Sequence, residues 1–153
     1  VSTLPITIST LSHSSTLDLG RASVASDNTI DVAVDSLVGG IVTTSTTAST
    51  LRQIEVWSYG SHDNGSTYAA GATGADASLN VSSMKTLMKL ITIIPSMQGG
   101  STYKWGPFSV AQAYGGTMPT RWGIFVVQNT GVALGSQASS HYVTYIPIKY
   151  QSV

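Results

Sequence analysis

Residues 141–150 read His-Tyr-Val-Thr-Tyr-Ile-Pro-Ile-Lys-Tyr, and this stretch decides the fold class. Tyr142, Thr144, Ile146 and Ile148 alternate along the chain with the residues at 143, 145 and 147. Residues that alternate in this way lie on opposite faces of a β-strand. Pro147 has no N–H to donate to a neighbouring strand. The stretch therefore predicts a strand at the edge of a sheet.

The same alternation, bounded by Gly, Ser, Asn and Asp, recurs along the chain and predicts further strands. They cover 3–10, 29–38, 41–50 with its Thr-rich run, 51–59, 87–94, 101–114 and 121–128. The segment 51–59 carries bulk on both faces, which predicts a central strand that is either covered on both sides or placed at a subunit contact. A short helical turn near 82–86 is compatible with the pattern. A Gly106-Pro107 break is expected to divide 101–114 into two strands. Asn129-Thr130-Gly131 predicts a hairpin. About eight strands without a long helix indicate one antiparallel β-sandwich or barrel over residues 1–153.

Charge is scarce in this chain. Only 9% of its 153 residues are charged, seven basic and seven acidic, and the formal net charge is zero. Scattered Lys and Arg do not provide the clustered charge that phosphate or an acidic membrane requires, so we expect no nucleic-acid or membrane partner. There is no cysteine, which excludes disulfides, thiolate metal sites and Cys nucleophiles. A chain with so little charge tends to associate.

No motif for a cofactor, a metal or a catalytic group stands out. On the predicted strand 29–38, the carboxylates at Asp27, Asp31 and Asp35 would share one face. That spacing suits either a cation site or a solvated face that discourages edge pairing. His13, His62 and His141 lack metal-ligand spacing,. We therefore predict a non-enzymatic protein without a cofactor or metal.

Two alternatives remain open from the residues alone. A hydrolase would use the carboxylate of Glu55 with that of an aspartate, for which Asp63 is the nearest candidate,. A carbohydrate-binding module would stack sugars on Trp57, Trp105 or Trp122, although the same side chains also suit a core or a protein interface.

Two segments carry a resemblance to a known family. Residues 103–134 contain GPFSVA at 106–111, GGTMP at 115–119 and WGIFVVQNTG at 122–131, and residues 56–76 contain YGSHDNGSTY and GATGAD. These segments resemble small virion structural proteins of tailed bacteriophages, which include decoration, neck and tail-associated proteins. The segment 82–85 departs from the family, in which a Pro-containing turn is usual.

The resemblance implies a β-sandwich, with the jelly roll among its candidate forms. It also implies a structural subunit of a phage virion that is assembled in the cytoplasm of the host bacterium. A capsid decoration (cement) protein that oligomerises, with the trimer as a candidate, and contacts the major capsid protein is the first expectation. A neck or collar component, a tail-associated protein and a host-recognition module are the alternatives.

Eight residues are the candidate interface positions. Residues 1–10 are expected to form an arm that pairs with a neighbour's sheet, and large aromatic side chains and Arg often anchor protein contacts. Arg121 is also a candidate structural anchor beside Trp122. The candidates are Leu4, Ile6, Ile8, Trp57, Tyr59, Trp105, Arg121 and Trp122.

Overall fold

The computed structural model describes residues 1–49, 51–96 and 102–151, and these build two antiparallel β-sheets. Sheet A has the strand order β1-β10-β4-β8, and sheet B has the order β6-β2-β9-β5-β7, with β3 paired to β9. The helices are short. The sequence-based prediction of an all-β sandwich is confirmed.

The elements are as follows. Sheet A consists of β1 (Ser2–Thr3), β4 (Asp35–Thr43), β8 (Thr102–Ser109) and β10 (Tyr142–Ile148). Sheet B consists of β2 (Leu19–Ala22), β3 (Ser26–Asp27), β5 (Gln53–Ser61), β6 (Ala77–Asn80), β7 (Lys89–Pro95) and β9 (Arg121–Asn129). Two one-turn α-helices are α1 (Asn28–Asp31) and α2 (Val110–Ala113), and 3₁₀ turns cover Ala69–Gly71, Ser82–Leu87 and Ala138–Ser140.

The strand order is that of a jelly roll. When the short strands β3 and β6 are set aside, the first of the other eight strands pairs with the last, and the second with the second last. The remaining four strands form the pairs β4–β8 and β5–β7. Such a nested set of antiparallel pairs wraps into two sheets that share one core.

The central strands of sheet B are covered on both faces, whereas Leu90 and Ile93 of its edge strand β7 stay 43% and 45% exposed. Between the sheets, Val38 and Val42 of sheet A pack with Ile124 and Val126 of sheet B in the main core. A second core lies on the outer face of sheet B, where Tyr59, Phe125 and Val127 pack against residues of the 68–88 segment. The prediction that 51–59 forms a central strand is confirmed, because β5 lies between β7 and β9.

The predicted strand at 29–38 is wrong in its first half. Asp27 accepts a hydrogen bond from the Thr29 N–H and caps α1, and the Asn28 side chain bonds both backbone groups of Ala33. These local hydrogen bonds compete with strand pairing. Strand β4 therefore begins only at Asp35.

Three further predictions need correction. In 3–10 only Thr3 belongs to a strand, because the rest of this segment packs irregularly over the core. Strand β8 continues through Gly106-Pro107, and Ser109 then caps α2 in place of a second strand. After β9 no hairpin forms, because the chain crosses to sheet A, where Leu134 bridges Thr44. The predicted strand at 87–94 and the helical turn before it are confirmed, and the segment 97–101 lies outside the described residues.

The prediction that 141–150 forms an edge strand is wrong, because β10 lies between β1 and β4. The hydrogen bonds on either side of β10 show how the sheet accommodates Pro147. The Val143 carbonyl accepts from Leu4 on the β1 side, whereas the Ile148 carbonyl accepts from Val34 on the β4 side. Backbone groups alternate sides along an antiparallel strand. The backbone nitrogen of Pro147 therefore faces the β1 side, beyond the end of the two-residue β1. Its missing N–H leaves no β1 carbonyl without a donor.

Candidate interaction face

The outer face of sheet A is apolar and uncovered. We call it the open face, and it is formed by Leu37, Gly39 and Ile41 of β4 together with Tyr142, Thr144, Ile146 and Ile148 of β10. The register places Tyr142 opposite Ile41 and Ile146 opposite Leu37. Tyr142, Ile146 and Ile148 are 44%, 45% and 39% exposed. An antiparallel sheet with a solvated face normally presents polar side chains there, so this face has the chemistry of a contact surface.

A shallow groove of about 320 Å³ runs over the open face. Its floor is flat because glycines lie where β8 meets β4. A Cβ on Gly106 would lie 2.6 Å from the Gly39 Cα, and Gly106 has a φ of +87° that disfavours other residues,. Val1 and Lys104 line the groove as well, and Lys104 is the charged side chain among its lining residues.

The protein covers the opposite face with its own chain. Lys85, in the 3₁₀ turn Ser82–Leu87, donates to the Glu55 carboxylate at 2.7 Å and to the Leu17 carbonyl at 2.9 Å. The Trp57 indole and the Gln53 amide donate to the same carboxylate. This buried ion pair fastens the 82–87 turn to the outer face of sheet B.

Two further ion pairs fix the segments around the sandwich. Asp76 accepts from Arg21 at 2.6 Å and from the backbone and hydroxyl of Thr7, which ties the N-terminal segment to sheet B. Burial raises the pKa of Asp76, but the hydrogen bonds from Arg21 and Thr7 outweigh burial and leave the pKa below its usual value,. The side chain of Arg121 pairs with Asp27 at 2.8 Å, so Arg121 acts as an anchor within the chain.

The three carboxylates predicted to share a strand face have separate roles. Asp27 caps α1 and accepts a hydrogen bond from the Thr29 hydroxyl. This bond outweighs the opposing effect of burial and holds the pKa of Asp27 below its usual value. Asp35 accepts from the Ser109 hydroxyl and the Ala111 N–H at the start of α2. Asp31 lies 3.4 Å from the Tyr145 hydroxyl. The predicted cation site on one strand face is therefore not formed, because the strand on which it depended is a helical turn.

The eight candidate interface residues divide into two groups. Five are buried within the chain's own cores, which corrects their assignment to an exposed contact surface: Leu4, Ile8, Tyr59, Trp105 and Trp122. The other three, Ile6, Trp57 and Arg121, are half-buried. The expected arm also packs on its own chain, since Ser2 and Thr3 pair with β10 of the same sheet. Large aromatic residues predict burial, but they do not tell an intramolecular core from an interface.

The structure removes the Glu55–Asp63 pair and two of the three tryptophans proposed for sugar stacking, whereas Trp57 is half-buried. Glu55 and Ser61 are six residues apart on β5, which is roughly 20 Å along a strand, and Asp63 lies beyond Ser61. Hydrolytic carboxylate pairs are about 5–9.5 Å apart, so Glu55 and Asp63 do not form such a pair. Asp63 is held by the Ser61 and Thr67 hydroxyls, the Ser61 bond being the largest cause of a pKa well below the usual value. For sugar stacking, Trp105 and Trp122 are in the core.

The histidines do not converge. His141 is buried, accepts from the Thr43 N–H at Nδ1 and therefore donates from Nε2 to the Gly135 carbonyl. His13 lies near Asn129, and His62 is exposed. Over the described ranges, no three His, Cys, Asp or Glu side chains are grouped so that they could hold a metal ion.

Comparison with known proteins gives no relative: no family model, curated protein or solved structure matches this chain. None of the described helices has the length and apolar character that crossing a bilayer requires.

The open face itself was missed by the sequence reasoning. A signal was present in 142–148, where the residues of both parities are apolar or aromatic except for Thr144. A strand with one solvated face would show polar residues on one parity. The segment 51–59 shows the same two-sided pattern, and the open face lies in the last strand.

Proposed function

We propose that this protein is a structural subunit of a virus particle and that it works by burying its open face against neighbouring subunits. The open face carries the proposal, because Tyr142, Ile146 and Ile148 expose an apolar surface where the outer side of an antiparallel sheet is expected to be polar,. The 68–88 segment covers the central strands of sheet B from within the chain, whereas the central strands of sheet A, β4 and β10, present their outer side to solvent.

The jelly-roll strand order and the low charge support the same proposal. Jelly rolls recur in viral shells, but they also occur in lectins and cupins, so the fold alone does not select the function. A neutral chain has little electrostatic repulsion between its copies,. Together with the resemblance of 103–134, these features favour a tailed-phage particle, with capsid decoration as the specific role and the major capsid protein as the partner.

Sedimentation velocity over a range of protein concentrations tests the self-association. The wild-type protein is expected to form an oligomer, whereas Ile146→Asp and Ile148→Asp should shift the population to monomer, because each places a charge on the open face. Leu51→Asp is the matched control, since Leu51 is 99% exposed in the loop between β4 and β5. Circular dichroism establishes that each variant is folded. A strictly monomeric wild type, or equal weakening by Leu51→Asp, contradicts the proposal.

Binding to the particle tests the role. Capsids assembled without this protein should bind it when it is added back, and should then resist heat or low salt better. Binding only to isolated necks or tails would move the role there. Binding to none of these components contradicts a virion role.

A further inference from the structure

The turn between β3 and β4 projects two apolar side chains into solvent. Ile30 is 77% exposed and Val32 is 71% exposed, and Asp31 lies between them. We call Ile30, Asp31 and Val32 the knob. Val32 has a left-handed backbone with φ 47°, which is a strained conformation for a β-branched residue. The hydrogen bonds of Asp27 and Asn28 hold this turn, and the apolar surface that it leaves in solvent is of the kind that marks an interaction site.

The groove on the open face complements the knob in polarity and in charge. Its walls include Leu37, Ile41 and Ile146, and Lys104 is the charged side chain among the lining residues. The knob offers two apolar side chains and one carboxylate. Within residues 1–49, 51–96 and 102–151, neither Asp31 nor Lys104 lies within ion-pair distance of an opposite charge.

We propose that the knob of one copy of this chain sits in the groove of a second copy, with the Asp31 carboxylate facing the Lys104 ammonium. This inference rests on the proposed function and names the contact by which the subunits associate. The two surfaces are neighbours, because Tyr145 lines the groove and also the pocket that contains Ile30 and Asp31. Because a two-fold interface is symmetric, a pair of copies makes the contact twice, once in each direction.

The size of the open face explains why the knob is needed. Strand β10 has seven residues, which span roughly 23 Å, and the three spacings across the four strands of sheet A add roughly 14 Å of width, so even the whole outer side of sheet A has a footprint of only roughly 320 Å². A stable interface buries about 800 Å² on each partner. Packing of the open faces alone falls well short of this area. The knob, used in both directions, extends the contact beyond the sheet.

Charge reversal tests the pairing directly. Asp31→Lys places two cations at each contact, and Lys104→Asp places two carboxylates there. Each variant alone is expected to associate roughly tenfold more weakly or worse, which corresponds to about 1.4 kcal/mol. In an equal mixture of the two variants, a mixed pair joins one cation to one carboxylate at both contacts, so association should return. Sedimentation velocity and native mass spectrometry measure the pairs, and the mass difference identifies the mixed one.

The controls separate this inference from the proposed function. Lys89→Asp reverses an exposed lysine on β7 and should leave association unchanged. If Asp31→Lys does not fold, Ile30→Ser provides a neutral change in the knob and should also weaken association. A monomeric wild type contradicts the proposed function. An oligomer that Ile146→Asp weakens, but that neither charge variant affects or the mixture does not restore, overturns this inference alone. The inference is also overturned if Lys104 is required for binding a glycan or an unrelated peptide and its replacement leaves the mass of the oligomer unchanged.

Discussion

Replacing Lys85 with methionine should destabilise the fold by about 3 kcal/mol, because removal of one partner of a buried ion pair typically costs about 3–5 kcal/mol. The Glu55 side chain is only 7% exposed, and Lys85 pairs with it at 2.7 Å. Methionine keeps the length of the lysine stem but loses this bond and the bond to the Leu17 carbonyl. The lysine side chain is 20% exposed, and the Trp57 and Gln53 donors remain, so the expected value lies at the lower end of the range.

Urea unfolding followed by tryptophan fluorescence measures this change. Lys89→Met is the matched control, since Lys89 is exposed on β7, and its unfolding free energy should stay within about 0.5 kcal/mol of wild type. The double variant Glu55→Gln/Lys85→Met removes both charges and should lose less than the sum of the two single variants. A Lys85→Met protein within about 0.5 kcal/mol of wild type would refute the reasoning that this pair fastens the 82–87 turn.

Two further predictions concern the core and the acid response. Gly123→Ala should destabilise the fold by about 1–3 kcal/mol or more, because the added Cβ would lie 2.4 Å from the Tyr59 ring. Gly135→Ala is the control, since its Cβ would lie 3.6 Å from its nearest neighbour. Equal thermal unfolding of the two variants would contradict this prediction. The pKa of Asp76 is lowered below 3.8 in the folded chain, so its ionised form stabilises the fold above that pH, and this stability is lost as the pH falls through the folded pKa. Between about pH 5 and pH 3, urea titrations should show a smaller loss of stability for Asp76→Asn than for wild type, and identical slopes would count against the Arg21 clamp.

The class of the fold could be predicted from alternation, but its topology could not. Strands such as β5 and β9 have clear patterns because each is long and buried. The pairing of Ser2 with Tyr145 joins residues at opposite ends of the chain, and no local pattern encodes such contacts. Jelly-roll order therefore became visible only in the structure.

Local hydrogen bonds explain the wrong elements. The alternation of Ile30, Val32 and Val34 indicates a strand, yet Asp27 and Asn28 provide side-chain acceptors and donors that stabilise a turn at the same place. A period-2 pattern shows only which side chains would share a strand face. Capping depends on short-range hydrogen-bond geometry, which such a pattern does not contain. The cation-site hypothesis depended on that strand and was lost with it.

The candidate interface was misplaced for a related reason. Trp105 and Trp122 are large and apolar, and such residues favour burial without indicating which molecule buries them. The open face instead uses Ile146 and Ile148 beside a glycine floor. Which outer face of a sandwich remains uncovered depends on the path of the 62–88 segment, and a strand pattern does not contain that path.

Hydroxyl-radical labelling of the assembled protein, read by mass spectrometry, tests the central claim most directly. Tyr142 on the open face and Met84 over sheet B are similarly exposed, at 44% and 41%. Our account predicts that assembly strongly reduces labelling of Tyr142 and leaves labelling of Met84 nearly unchanged. If Tyr142 is labelled as fast in the assembly as in the dissociated chain, then the open face is not covered by another subunit, and the account is contradicted.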